Sequence, residues 1–425
     1  MEIYIVQILY LFRPILNAEL VDWGLLGFNF FELLAILLFL ALVAAFALGA
    51  LQKKRNPVSR VEVWAVLLIV WITISYVVHV DISSLSTYAK LVIPLMTYVM
   101  LKRILPDRAA HIRLVFLMLI GFLLPLIMSA VMTYQGEGLR SVSYWTGLER
   151  YTGVYRGSHS MAHNAGFAMM LTAIYFALRK GQPVPLRRLE ILVLATVFVI
   201  SSYLMSAAHI RNVYLGVAIF FVVMLYHYDK RVLAFFVLSS VAFLAYSWST
   251  VSLIFFDFLD PPELREGFIP AGSGRLTFWT WALENWRQAP LLNQLTGMGV
   301  KIPEVSPTRQ PIYDTYFDGT LRPWPDPHSD ILFILLSLGL IGLALFVGLF
   351  GSILRAILNL RGNERLALLA LFVAVIMMNA MSNAYITRFQ LAQMFFMVMV
   401  YLDLRPVGTG DRAGTPQIDR RLGDG

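Results

Sequence analysis

The chain has 425 residues, of which 58% are hydrophobic and only 14% charged, and its mean hydropathy is +0.70. Soluble domains run nearer half apolar and a quarter charged, so these values exclude an ordinary water-soluble fold and predict an all-α polytopic membrane protein. The absence of cysteine removes disulfide frameworks, thiolate nucleophiles and Cys-ligated metals, and the formal charge of +8 reads as a topology signal, since a nucleic-acid role would need it clustered on one soluble face.

Apolar windows approaching bilayer thickness fall at 4–20, 30–51, 61–80, 89–103, 114–134, 163–178, 189–208, 213–227, 232–256, 330–353, 366–383 and 389–403, which predicts about twelve transmembrane helices. The opening stretch lacks a basic n-region and a small-residue cleavage site, so it is expected to be a retained first helix. Helices one to nine occupy 1–256, with a loop at about 135–162. A large loop follows at 257–329, helices ten to twelve at 330–403, and a polar, Gly-rich tail expected to be a disordered cytoplasmic end at 404–425. No internal repeat and no inverted pair of broken helices is visible.

Most Lys and Arg residues lie in "QKKRNPVSR", "KRILPDRAAHIR", "RKGQPVPLRR", "DKR", "RAILNLRGNER" and the tail, which makes that face cytoplasmic by the positive-inside rule and the two long loops periplasmic. The cations of the opposite face are nearly all arginine, Lys90 and Lys301 excepted. Guanidinium is the permanently charged, bidentate partner of phosphate, although a scattered loop arginine can equally be solvated. Within the large loop, "LTFWTWALENWR" has helix-forming composition with Phe278, Trp281 and Trp286; it reads as an interfacial helix, or as loop packing on the bundle.

Four features of the predicted outer face carry ionisable groups. His328, followed by Ser329 and Asp330, stands at the mouth of the window beginning at 330; an imidazole there has the pKa range of a general base, while Ser329 or Asp330 would serve equally as a helix cap. Arg211, in "HIRNVYLG", lies in an outer turn too short to leave the membrane edge, where a cation is either functional or snorkels to lipid phosphate; neighbouring His209 is the weaker signal. Arg275 follows Gly272 and Gly274 in a loop free to close on an anion. Arg150 and Arg156 lie in the first long loop with His159 and His163, whose i, i+4 spacing puts both on one helical face; a metal site would need further ligands, so polar packing or sugar contact is the stronger reading. No Walker A sequence, no G-x-S-x-G and no outer D-x-D pair is present, which leaves nucleotide-driven pumps, serine hydrolases and metal-held diphosphates unsupported.

In this setting, His328-Ser329, nine residues, Gly339, two residues and Gly342 match the H-[NSQ]-x9-G-x-x-[GTY] signature of O-antigen ligases, and "RNVYL" from Arg211 matches their R-x3-L. "GRLTFW", "LTGMGV" and "PHSDIL" with "LGLIGL" also resemble the wider superfamily of O-antigen ligases and Wzy-type O-antigen and exopolysaccharide polymerases, and helix number and loop order are similar along roughly 400 residues.

The resemblance implies a GT-C-like fold and transfer of an undecaprenyl-diphosphate-linked glycan to an acceptor hydroxyl in the periplasm, inverting and without metal, nucleotide or other cofactor. The residues suit such a step: Arg211 and Arg275 are expected to hold the diphosphate while His328 takes the proton from the attacking hydroxyl, with Arg150, Arg156 and Arg388 as second-rank substrate-binding candidates. The acceptor is the next repeat unit for a polymerase, with a chain-length regulator as a further partner, or lipid A-core for a ligase; the arginine-bearing loops and the "SGRLTFW" and "HSDIL" wording favour the polymerase. A transporter or flippase of lipid-linked sugar would instead show ionisable residues midway through helices and paired discontinuous helices. A peptidoglycan polymerase is more distant, because no acid is placed to serve it.

Overall fold

In a computed structural model of the protein, the described residues are 2–16, 18, 24–25, 28–50, 57–79, 85–137, 140–142, 149–155, 157–180, 186–228, 275–300, 329–381 and 389–405. In chain order the helices are α1 (Glu2–Ile15), α2 (Phe30–Ala50), α3 (Arg60–Val78), α4 (Leu85–Ile104), α5 (Arg108–Tyr134), α6 (Ser158–Lys180), α7 (Arg188–Ala208), α8 (Arg211–Tyr228), α9 (Arg275–Gln288), α10 (Leu291–Thr296), α11 (Asp330–Leu358), α12 (Gly362–Met381) and α13 (Phe389–Met399), the last running into a 3-10 turn at Val400–Asp403. Two short antiparallel hairpins accompany them: β1 (Gly24–Leu25) with β2 (Phe28–Asn29), and β3 (Arg140–Val142) with β4 (Glu149–Tyr151).

Every predicted apolar window falls on a helix except 232–256, which lies outside the described residues. Among those residues, six helices (α3, α5, α6, α7, α11 and α12) are long and apolar enough to cross a membrane. α3 shows why water is the wrong solvent for this surface: Val63, Val66, Leu67, Val70, Ile74 and Val77 are exposed, whereas Val61, Ala65, Leu68 and Ile72 are buried. Both faces are apolar, so the outward one is suited to lipid.

The bundle packs α1 on α5, α5 and α6 on α7, α8 on α12, α11 on α3, and α13 on α4. The ends carrying the basic connections form one end of the bundle, called here the basic end; the α7–α8 turn and the start of α11 lie at the far end. The basic end is locked by a buried ion network. Lys102 Nζ on α4 lies 2.6 Å from Glu62 Oε2 on α3 and 3.3 Å from Asp403 Oδ2, and Arg103 adds a second bond to Glu62. Tyr98 donates to Asp403 at 2.6 Å, and the Ser59 hydroxyl, which caps α3, bonds the same carboxylate. Three helices thus share two carboxylates.

α11 is interrupted at Gly339, where φ is 69° and ψ is −170°. That region is open essentially to glycine alone. The break frees carbonyls that a membrane offers no water to satisfy, and the protein supplies partners. Met298 N donates to Leu336 O at 2.8 Å, Ser75 Oγ to Ser337 O at 3.4 Å, and Trp71 Nε1 to Leu338 O at 3.0 Å. Close approach is mutual: a Cβ on Gly339 would meet Leu295 O at 2.3 Å, and one on Gly297 (φ 87°) would meet Ser337 O at 2.2 Å. "LTGMGV" and "LGLIGL" are therefore the two halves of one backbone crossing. No apolar pattern marked this discontinuity, because leucine and isoleucine flank the break on both sides.

A second departure concerns charge. Ionisable residues midway through helices are the mark expected of a transporter, and Arg13 on α1 is 1% exposed, with the neighbouring Leu11 carbonyl and Pro14 ring packed against Gly121, halfway along α5. It is a mid-bundle cation.

Gly339→Ala and Gly297→Ala are expected to lose folded protein in detergent extracts, because backbone strain of about 1–3 kcal/mol is compounded by a backbone clash, whereas Gly351→Ala, with open space around it, should be tolerated. Lys102→Met should cost about 3–5 kcal/mol by leaving buried carboxylates short of a cation, read as a lower thermal midpoint.

Candidate active site

The far-end site is built around the α7–α8 turn. α7 ends at Ala208 and α8 begins at Arg211, leaving only His209 and Ile210 to reverse the chain. His209 manages this in the left-handed region (φ 50°, ψ 44°), and it is the one non-glycine residue with positive φ among the described residues. Tyr214 OH donates to the Met205 carbonyl at 2.8 Å and ties the two helices together below the turn. Arg211 is thereby fixed as the first residue of α8, where its guanidinium adds to the positive end of the helix dipole.

The β3–β4 hairpin folds over this turn, with β4 packed on α7. It carries Arg150, a half-buried arginine whose Nε finds no hydrogen-bond partner among the described residues. Burial lowers its pKa from the ordinary 12.5, but an arginine remains a cation. The charge is felt at His209, whose pKa is held below 6.5 first by burial and then by repulsion from Arg150. The hairpin is anchored through Val154 N, which donates to Ser129 Oγ at 3.2 Å, and Gly153 packs directly on Ser129. Next to Arg211, Asn212 Nδ2 lies 3.4 Å from His163 Nε2, and both residues are buried. His159 and His163 do share a helix, because α6 begins at Ser158, ahead of the apolar window.

α12 packs on both α8 and α11, and α11 begins at Asp330. Ser329 caps it, its Oγ accepting from Leu332 N, so the capping role weighed for this position is filled by Ser329. Ser329 and Asp330 are both buried. His328 itself lies outside the described residues, as do Arg156 and Arg388. Arg275 is the first residue of α9, a helix that packs mainly on α10 and α11 with Ala282 buried and Trp286 Nε1 donating to Gln294 O at 3.2 Å. "LTFWTWALENWR" is thus a helix laid on the bundle. Of the residues singled out in the sequence, Arg150 and the Arg211 turn are brought together, while Arg275 starts an element on the α11 side.

The residues of this far end coincide with a known family. Residues 192–347 match the family model described as O-Antigen ligase. Over that segment, a little over a third of the chain, the protein is similar to the O-antigen ligase family. The match takes in Arg211, Arg275, His328, Gly339 and Gly342, and leaves Arg150, Arg156 and Arg388 outside it. It is narrower than the roughly 400 residues over which the helix order looks alike. No curated protein matches the chain. The signature glycines now have a physical reason: Gly339 is the helix break, and Gly342 lies against Trp71, the residue that caps a freed carbonyl.

The hairpin and the turn thus set a half-buried guanidinium, Arg150, close to an imidazole, His209, whose pKa is held down by burial and by that charge. An anion at Arg150 would offset the repulsion on His209 and raise its pKa, so binding takes up a proton. Diphosphate affinity is therefore expected to strengthen as pH falls below about 6.5, and His209→Gly, which the left-handed backbone accepts, should flatten that profile while the fold is retained. Titrating binding of a prenyl diphosphate between pH 5 and 8 checks this; a pH-independent wild type would refute it.

Proposed function

We propose that the protein is a membrane glycosyltransferase of the bacterial inner membrane. It moves a glycan from undecaprenyl diphosphate to an acceptor hydroxyl on the periplasmic side and polymerises surface-polysaccharide repeat units. The observation that carries this reading is the juxtaposition of half-buried Arg150 with the His209–Arg211 turn, in a segment partly covered by the O-antigen ligase match. A twelve-span, GT-C-like arrangement with the basic end in the cytoplasm is part of the same proposal.

The acceptor oxygen attacks the anomeric carbon as the carbon–oxygen bond to diphosphate breaks, and His328 takes the hydroxyl proton. The diphosphate leaves on its lipid and the new bond has inverted configuration. Diphosphate is already a good leaving group, so the protein's task is to stabilise negative charge; Arg211 and Arg275 hold it, with Arg150, Arg156 and Arg388 around them. No metal or nucleotide takes part in the step as proposed.

A ligase reading shares this donor chemistry and is favoured by the description of the matched family. It differs in acceptor, lipid A-core in place of the next lipid-linked repeat, and has no use for a chain-length regulator. A transporter reading gains Arg13 and the broken α11, but among the described residues only one helix is interrupted.

Deleting the gene should leave single repeats on the surface or carrier; full-length chains stranded on the lipid carrier would instead establish the ligase. In a purified assay, Arg211→Ala should lose about 3 kcal/mol of transition-state stabilisation, on the order of a hundredfold in rate, and His328→Ala should be at least as slow. Full activity of His328→Ala would remove it as the base.

A further inference from the structure

A cavity of about 570 Å³ opens at the basic end, between α1, α5, α6 and α7. It lies at the opposite ends of α6 and α7 from the Arg211 turn, about 30 Å away along the 21 residues of α7. Its walls are apolar, supplied by Ile3, Leu114, Phe116, Leu117 and Leu189, and Leu189 is 61% exposed toward the lipid side. Its polar lining consists of three guanidinium groups, Arg113, Arg179 and Arg187, against one carboxylate, Glu190, with Tyr175 and Gln7.

Glu190 is already engaged. It accepts from Tyr175 OH at 2.7 Å and from Arg187 N at 2.8 Å, and its Oε1 lies 3.6 Å from Arg179 Nε. That leaves Arg113 and Arg187 outside any ion pair among the described residues, both exposed on the same opening. A cavity with apolar walls and an excess of guanidinium at its mouth, set where membrane-spanning helices end, has the shape and charge of a phosphate-bearing lipid: acyl chain along α1, α5 and α7, headgroup at the arginines.

We propose that this cavity is a binding site for an anionic phospholipid of the leaflet at the basic end, its phosphate held by Arg113 and Arg187 and its orientation set by the Tyr175–Glu190–Arg179 cluster. A bulk attraction between a cationic face and an anionic leaflet would not need a cavity; here the apolar walls and the cations converge on one opening. The site is separate from the transferase reading and stands or falls by itself.

The test is lipid retention by native mass spectrometry of the full-length protein released from nanodiscs of phosphatidylcholine with one part in ten phosphatidylglycerol. Wild type is expected to retain phosphatidylglycerol in preference. Arg113→Gln with Arg187→Gln should reduce that preference by roughly twenty-five-fold, about fivefold per cation, at unchanged thermal midpoint. Arg355→Gln with Arg361→Gln, which removes the same charge from exposed sites at the same end, should leave it intact. Equal retention of both lipids by wild type, an equal loss in the control pair, or displacement of the lipid by millimolar inorganic phosphate would overturn the proposal. Should the first pair fail to fold, the single variants Arg113→Gln and Arg187→Gln supply the reading: each must lower the preference by about fivefold, and no loss in either would overturn the proposal.

Discussion

A membrane offers no water to unpaired backbone groups, and the interruption of α11 at Gly339 is where this bundle answers that constraint most visibly. The freed carbonyls of Leu336, Ser337 and Leu338 are taken by Met298 N, Ser75 Oγ and Trp71 Nε1, so the end of the large loop, α3 and the outer half of α11 become one unit. Two glycines make the approach possible, one on each chain segment. The half of α11 that precedes the break begins at the Ser329 cap, and the crossing that the two glycines permit fixes its other end.

Around that frame, arginines are sorted by depth and by end. At the far end, Arg150 of the β3–β4 hairpin comes close to His209 of the α7–α8 turn and opposes its protonation. At the basic end, Lys102, Arg103 and Arg108 are consumed by Glu62, Asp403 and Glu364, so their role is to hold α3, α4, α5, α12 and α13 in register. Arg113 and Arg187 are left over at the mouth of a cavity. Basic side chains at the two ends are thus distinguished by which carboxylates lie within reach.

Much of this was legible in the sequence, and the losses have physical causes. Apolar runs such as 61–80 and 330–353 located helices because a spanning helix must be apolar on every side. α6 begins earlier than its window because Ser158, His159 and Ser160 are polar residues held within the protein, which a hydropathy profile counts as loop. The pairing of Arg150 with His209 joins a hairpin to a turn some sixty residues later, and no local pattern encodes that contact. Arg13 was invisible for the same reason: its depth depends on how α1 sits against Gly121. The O-antigen ligase signature marked Gly339 in advance, but why glycine is needed there became plain only from the backbone geometry.

The most direct test of the central claim, that the far-end arginines grip a pyrophosphoryl lipid, is photo-crosslinking with a polyprenyl diphosphate bearing a photoreactive group next to the phosphates. Peptide mapping should find label on the segment around Arg150 and on the His209–Arg211 turn, competed by unlabelled lipid diphosphate. Label confined to the basic-end cavity at Arg113 and Arg187, with the far end clean, would contradict it.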